Sequence, residues 1–240
     1  MTIKIPEKFM GKPIKGSMEI VLAQDPLVSF PMPVRNSTTN VQPLNGFIYV
    51  PSINLYVAKE RTLQNKTWND CNEELHSQGF RMPTIPEFVE FVKYLRANPN
   101  GMKDASSQEV SSVLDEILTV RSPGRAEWLD AKFDNTNRGM YVNYHGYNSV
   151  NQIVKSQEKL EAYLEKDKTP GIDLESWLNN PNKQGLPKPD CKNGSLYYWT
   201  PRDGCVARFY ADSGRAILSC YWYPANSIPA LGVRVVRKKI

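Results

Sequence analysis

Nowhere does the chain approach the roughly 18 consecutive apolar residues that a membrane-spanning helix needs. The opening residues, MTIKIPEKFMGKPIKGSMEIVLAQDP, carry charges throughout and hold no apolar segment of the kind a secretory signal requires. Histidine is scarce: His76 and His145 are the only two, far apart in sequence, so a metal cluster is not expected and both read as surface or hydrogen-bonded residues. The four cysteines, Cys71, Cys191, Cys205 and Cys220, show no C-x-x-C spacing, which argues against a structural zinc site or a redox pair. There is no Gly-rich phosphate loop, and no repeat of about 20–50 residues that would signal a solenoid. Asp130 and Asp134 stand four apart, but in a segment that reads as strand, so they are a poor general acid–base pair. No catalytic residue, metal or cofactor is therefore assigned.

The composition that remains is that of an ordinary globular chain. Of 240 residues, 40% are hydrophobic and 23% charged, enough apolar material for a core. The net charge of +5 is scattered; only Arg237, Lys238 and Lys239 form a basic run, which reads as a solvated tail and not a nucleic-acid patch. Residues 1–45 hold Pro6, Pro13, Pro26, Pro31, Pro33 and Pro43 without a sustained period, and read as an extended arm ahead of one domain, 46–240.

Within that domain, GFIYVPSINLYVAKE reads as two short strands around Pro51-Ser52. Two helices follow with legible starts. Thr67 with Asp70, and Thr84 with Glu87, have capping-box spacing. Trp68, Cys71 and Leu75 mark the buried side of the first, which Gly79 can end; Phe88, Phe91, Val92 and Leu95 mark that of the second. A third helix is expected from Ser106 and Glu109, with Val110, Val113, Leu114, Ile117 and Leu118 as its stripe. EWLDAKF (127–133) and GMYVNY (139–144) read as strands, and NQIVKSQEKLEAYLEKD (151–167) as an exposed helix. Residues 168–194 read as a long loop with a short helix near Trp177. Later, LYYWT and CVARFYA alternate, with Val206, Arg208 and Tyr210 on one side and Ala207, Phe209 and Ala211 on the other. DSG (212–214) signals a hairpin turn, and Val233, Val235 and Val236 a closing strand beside the first. The fold class is α+β, with helices early and an antiparallel sheet late.

The order of elements, with W-x-x-C, GFRMPTIPEF, YYWT, ARFYADSG and the ending LGVRVVR, resembles the C-type lectin-like fold. More narrowly it resembles the branch of formylglycine-generating-type domains and the variable proteins of diversity-generating retroelements. The resemblance covers residues 45–240, with an apparent insertion near 135–190. It implies that adenine-directed mutagenesis rewrites chosen positions between about 198 and 231, inside a fixed frame of Trp199, Ala207, Phe209, Gly214, Ala216, Leu231, Gly232, Val233 and Val235. The miscellaneous run CYWYPANS (220–227) fits such a stretch. The candidate ligand-binding positions are then Arg202, Asp203, Cys205, Arg208, Tyr210, Asp212, Cys220, Trp222, Tyr223, Asn226 and Ser227. Outward strand residues tolerate change at about 0.5 kcal/mol or less, and Tyr and Trp supply rigid contact area.

What the resemblance implies is a display protein that binds a protein or glycan target. The charged opening residues, unpaired cysteines, scattered charge and lack of an acid–base pattern add the expectation of a cytoplasmic or virion-associated protein with no nucleic-acid partner and no catalysis. Two alternatives stay open. One is a copper oxidase of the formylglycine-generating type using Cys205 and Cys220, since soft thiolates suit Cu(I). The other is a virion assembly protein of the same fold without variation. Trp68-Asn69-Asp70 matches the WND of calcium-binding lectins, but here it opens an early helix in which Asp70 already caps. The NPN runs at 98–100 and 180–182 lack the partner Glu or Gln, so calcium-mediated sugar binding is not expected. One of Tyr221 and Trp222 is expected to face inward, because they have opposite parity.

Overall fold

Two threonines decide where the first helices begin. The Thr67 hydroxyl accepts from the Asp70 amide while the Asp70 carboxylate accepts from the Thr67 amide, and Thr84 and Glu87 repeat the exchange. Pro86 sits in the first turn of the second helix, where its missing N–H has no partner to lose. Gly79, at φ +74°, ends the first helix in the left-handed conformation.

The computed structural model describes residues 8–9, 12–13, 45–98 and 112–239. The chain divides into two units, Met1–Val41 and Gln42–Ile240. In the first, β1 (Lys8–Phe9) pairs antiparallel with β2 (Lys12–Pro13). The rest of the expected Pro-rich arm lies outside the described residues.

The second unit runs β3 (Phe47–Val50), β4 (Leu55–Ala58), α1 (Trp68–Ser77), α2 (Ile85–Ala97), α3 (Val113–Leu118), β5 (Arg125–Thr136), β6 (Gly139–Tyr147), β7 (Ile153–Lys159) and β8 (Lys168–Ile172), and continues with α4 (Leu174–Asn179), β9 (Leu196–Trp199), β10 (Val206–Ala211), β11 (Ala216–Trp222), β12 (Leu231–Gly232) and β13 (Val236–Lys238). The class is α+β, as expected. The large sheet has the order β7-β6-β5-β10-β11-β9-β8, with β12 added to β5. A small sheet, β13-β4-β3, joins the closing strand to the hairpin near residue 50.

Three expectations change. Residues 153–159 form a strand and not an exposed helix: between Val154 and Leu160 there is no apolar residue to give a helix a buried face, and the free edge of β6 pairs with the segment in regular antiparallel register. The large sheet is not purely antiparallel, because β9 runs parallel to β11 and β12 parallel to β5. Residues 168–194 are more than loop and helix, since β8 pairs with β9. Ser106, Glu109 and Val110 lie outside the described residues; the described third helix starts at Ser112 without a side-chain cap.

The large sheet has two differently covered faces. Phe133, Phe209, Leu218, Tyr198 and Cys220 meet α2 (Phe88, Phe91, Val92) and α4 (Trp177, Leu178) in the main core. On the other face Ala126, Trp128 and Val206 meet α1 (Trp68, Cys71, Leu75) together with Leu231 and Val233.

A buried charge cluster ties the early and late parts of the chain together. Glu127 on β5 is fully enclosed; Arg234 Nε donates to it at 3.0 Å, and Arg125 Nη2 lies 3.0 Å away as an ion contact. Glu116 on α3 adds contacts to Arg61 (3.2 Å), Arg125 (3.0 Å) and Arg234 (2.5 Å). Burial alone would raise the Glu127 carboxyl, but Arg125, Arg234 and Arg61 overcome it and hold the group below its ordinary 4.5.

Candidate functional site

The DSG turn fixes the register from which the site grows. Asp212 Oδ1 accepts from the amides of Gly214 (2.8 Å) and Arg215 (3.0 Å), closing the β10–β11 hairpin. Tyr210 then opposes Ile217 and Arg208 opposes Ser219; on the next strand Trp199 stands beside Ser219. These side chains share the outer face, while Phe209, Leu218 and Tyr198 point into the main core.

Beyond Ser219 the register slips, so that Val206 opposes Trp222: three steps on β11 match two on β10. This β-bulge cancels the parity difference between Tyr221 and Trp222. Both line the outer face, where strict alternation would send one of them into the main core, and Trp222 packs in addition against the second core. With Trp199, Arg208, Tyr210, Asp212, Arg215, Ile217 and Ser219 they enclose an open cavity of about 290 Å³.

Its chemistry is unusual for a folded interior. Arg208 is only 6% exposed, its guanidinium carbon 3.5 Å from the Trp222 ring centre and 4.7 Å from that of Tyr210. Among the described residues it has no carboxylate partner, and its Nε has no hydrogen bond. Burial lowers its pKa to about 10, so the group remains charged at neutral pH. The Ser219 hydroxyl and the Trp222 indole N–H are also buried without partners. The Tyr210 hydroxyl, by contrast, donates to Asp212.

Other candidate positions fall around this face. Arg202 is exposed, donates to Asp167 at 2.7 Å and lies 5.6 Å over the Tyr221 ring. Asp203 accepts from the Asn135 amide at 2.7 Å, a structural task. Tyr223 is 66% exposed, and Asn226 and Ser227 follow in the same loop. That loop is held through its backbone: Trp68 N donates to Pro224 O (3.0 Å), Asn226 N to Tyr223 O (3.1 Å) and Ala126 N to Ala230 O (2.9 Å). Arg61 also donates to Ala230 O at 2.8 Å.

The two cysteines do not belong to the face. Cys220 is fully buried, because its parity matches that of Leu218, and it packs in the main core. Cys205 is enclosed in the turn that enters β10, where its amide donates to Arg202 O. Both are free, and burial raises both thiols, which favours the neutral form over the thiolate a copper pair would use. Among the described residues no group of three or more His, Cys, Asp or Glu side chains is placed to hold a metal ion.

Trp199, Arg215, Ser219 and Tyr221 were not among the sequence candidates. The signal for Ser219 was available: a tight DSG turn between alternating strands sets it opposite Arg208. The bulge had no such signal.

A second cavity, about 190 Å³, lies between α2, β5, β6 and β7, but its polar groups already serve one another. Tyr144 donates to Glu158 at 2.5 Å; Gln184 and Lys183 contact the same carboxylate at 3.1 and 2.9 Å. Those hydrogen bonds, Tyr144's foremost, pull the Glu158 carboxyl down to about 2. Asp130 is buried and accepts from the His145 amide at 2.8 Å, with His145 Nδ1 3.1 Å away. Asp134 accepts from Asn143 at 2.6 Å, so the two aspartates serve separate partners.

The histidines are adjacent, contrary to their distance in sequence: the His76 and His145 rings stand edge to face at 4.4 Å. Burial, then the neighbouring His145, lowers His76 below its ordinary 6.5, with Asp130 acting against them and Arg81 with them. Because the folded state resists protonation, stability should be full above pH 6.5 and fall as pH drops through the folded value. In urea midpoints measured from pH 7.5 to 5, His76→Gln is expected to flatten that decline. An unchanged slope would show that another group carries it.

No helix of the described residues is long and apolar enough to cross a membrane. Comparison with protein-family models, curated proteins and solved structures gave no match to this chain.

Proposed function

We propose that this chain is a non-catalytic ligand-binding module on a C-type lectin-like scaffold, whose C-terminal face recognises a protein or glycan target and is diversified by a retroelement. The observation that carries the reading is the contrast between backbone and side chains across residues 199–230. The backbone is fixed by strand pairing, the DSG turn and the anchors of the 223–230 loop. The side chains of Arg202, Tyr210, Trp222, Tyr223, Asn226 and Ser227 reach solvent or its margin. Large aromatics and arginine on a rigid support are the usual anchors of recognition surfaces.

Two tests bear on it. The DNA around the gene should hold a near-copy of its 3′ end, differing mainly at adenines, beside a reverse transcriptase gene. Isolates that vary elsewhere and never on this face would end the reading. The protein itself gives the second. A library randomised at Arg202, Tyr223, Asn226 and Ser227 changes stability by at most about 0.5 kcal/mol per position. At about 2–4 °C per kcal/mol, most members should melt within about 8 °C of the parent. A library that is mostly unfolded would mean these residues serve the fold.

A further inference from the structure

The outer-face cavity is lined by Arg208, Ser219 and Trp222, whose Nε, hydroxyl and indole N–H have no hydrogen-bond partner among the described residues. Buried polar groups are nearly always paired, and a buried charge almost always has a counter-charge. The other buried arginines of the described residues each have a counter-charge: Arg81 pairs with Glu87, and Arg125 and Arg234 pair with Glu116 and Glu127. Arg208 is the exception, and it lies on an open cavity. The missing partner is therefore an oxyanion delivered from outside. A carboxylate suits it best: Arg208 and Arg215 less Asp212 leave the lining one positive charge, which matches one carboxylate and not a doubly charged phosphate.

The remainder of the cavity describes what the carboxylate is attached to. Trp199, Tyr221 and Trp222 give it aromatic surfaces, which pack against the C–H faces of a ring. Arg215, exposed in the lining, adds donors beyond those that one carboxylate takes from Arg208, Trp222 and Ser219, which suits a ligand carrying hydroxyls as well. At about 290 Å³ the space is at the small end of ligand sites, about 300–1,000 Å³, and takes one monosaccharide ring. We propose that the β9–β10–β11 face is a binding site for an acidic sugar, with Arg208 holding the carboxylate against Trp222 and Ser219. This inference rests on the ligand-binding reading above and narrows its target to an acidic glycan.

The test uses the full chain and four probes: glucuronate, glucose, acetate and a short peptide rich in glutamate. Tryptophan fluorescence or calorimetry reads binding. Glucuronate is expected to bind at least tenfold more tightly than glucose or acetate, with an affinity that falls as salt rises. Arg208→Met should weaken glucuronate at least tenfold and leave glucose unchanged, and Ser219→Ala should weaken it several-fold. Because Arg208 has no internal counter-charge, Arg208→Met should hold or raise the melting temperature of the unliganded protein, an outcome no structural ion pair would give.

Equal binding of glucuronate and glucose, or full glucuronate affinity in Arg208→Met, overturns the proposal. Acetate as tight as glucuronate overturns the sugar, and a tighter glutamate peptide overturns the glycan. A fall in melting temperature of 6 °C or more in Arg208→Met makes the residue structural. None of these outcomes touches the display reading, which falls on the missing adenine-directed near-copy or the unfolded library whatever glucuronate does.

Discussion

Replacing Glu127 with alanine is expected to cost about 3–5 kcal/mol, the usual effect of stripping one partner from a buried ion cluster. For a chain of this size that lowers the melting temperature by about 6–20 °C, at about 2–4 °C per kcal/mol. The cause is what remains: Arg125 and Arg234, 2% and 0% exposed, would lose the one carboxylate enclosed with them. Glu127→Gln should cost nearly as much, because it keeps the shape and removes the charge. Glu116→Ala should cost clearly less, since its side chain is 26% exposed and water can replace it. Thermal unfolding of the three variants gives the order. A loss under 1 kcal/mol for Glu127→Ala would mean that Glu116 alone neutralises both arginines.

The same group sets an acid limb. Its folded-state carboxyl lies below the ordinary 4.5, so it stabilises the fold above that value and loses its effect as pH falls through the folded one. Glu127→Gln should lack this part of the acid-induced loss.

Trp177→Ala is the second large effect, expected at about 3–5 kcal/mol from the cavity left by a buried tryptophan. Trp177 is 1% exposed, stacks near-parallel on Phe209 with ring centres 6.5 Å apart, and donates its indole N–H to Gly185 O at 2.8 Å. Gly185 is itself constrained: at φ +81°, with a Cβ position 2.5 Å from Pro86 N, it admits no side chain. The tryptophan thus joins the 168–194 segment to α2 and to the back of β10. Trp177→Phe should recover part of the loss in a denaturant titration. A Trp177→Ala protein as stable as the parent would show that the segment is an appendage.

The two cases mark the limits of the sequence. The helix starts at Thr67 and Thr84 were legible because a capping box is a local exchange between residues three apart. So were the β10 alternation and the DSG turn, each a matter of neighbouring residues. The charge cluster was not legible. Glu127 and Arg234 are 107 positions apart, and only the pairing of β12 with β5 brings those segments together. β7 was misread because a polar segment with two apolar residues at one end carries no period, and the partner edge decided its form. The outer face was half legible: parity placed Arg208 and Tyr210 together, but the bulge that adds Tyr221 beside Trp222 is set by register across two strands. Cys220 differs: its parity with Leu218 marks a core position, and only grouping it with its neighbours in CYWYPANS put it among the face residues.

The loop after β11 sets a limit of another kind. Its attachments to Trp68, Ala126 and Arg61 are all made by carbonyls of Pro224 and Ala230. Peptide groups are the same whatever residue they join, so the span between these two clamps is constrained in its count, and in its spelling chiefly at Ile228, which packs against the second core. Inserting or deleting one residue there should dislodge a clamp and disturb α1 or β5, a larger upset than rewriting Ala225, Asn226 and Ser227 between them.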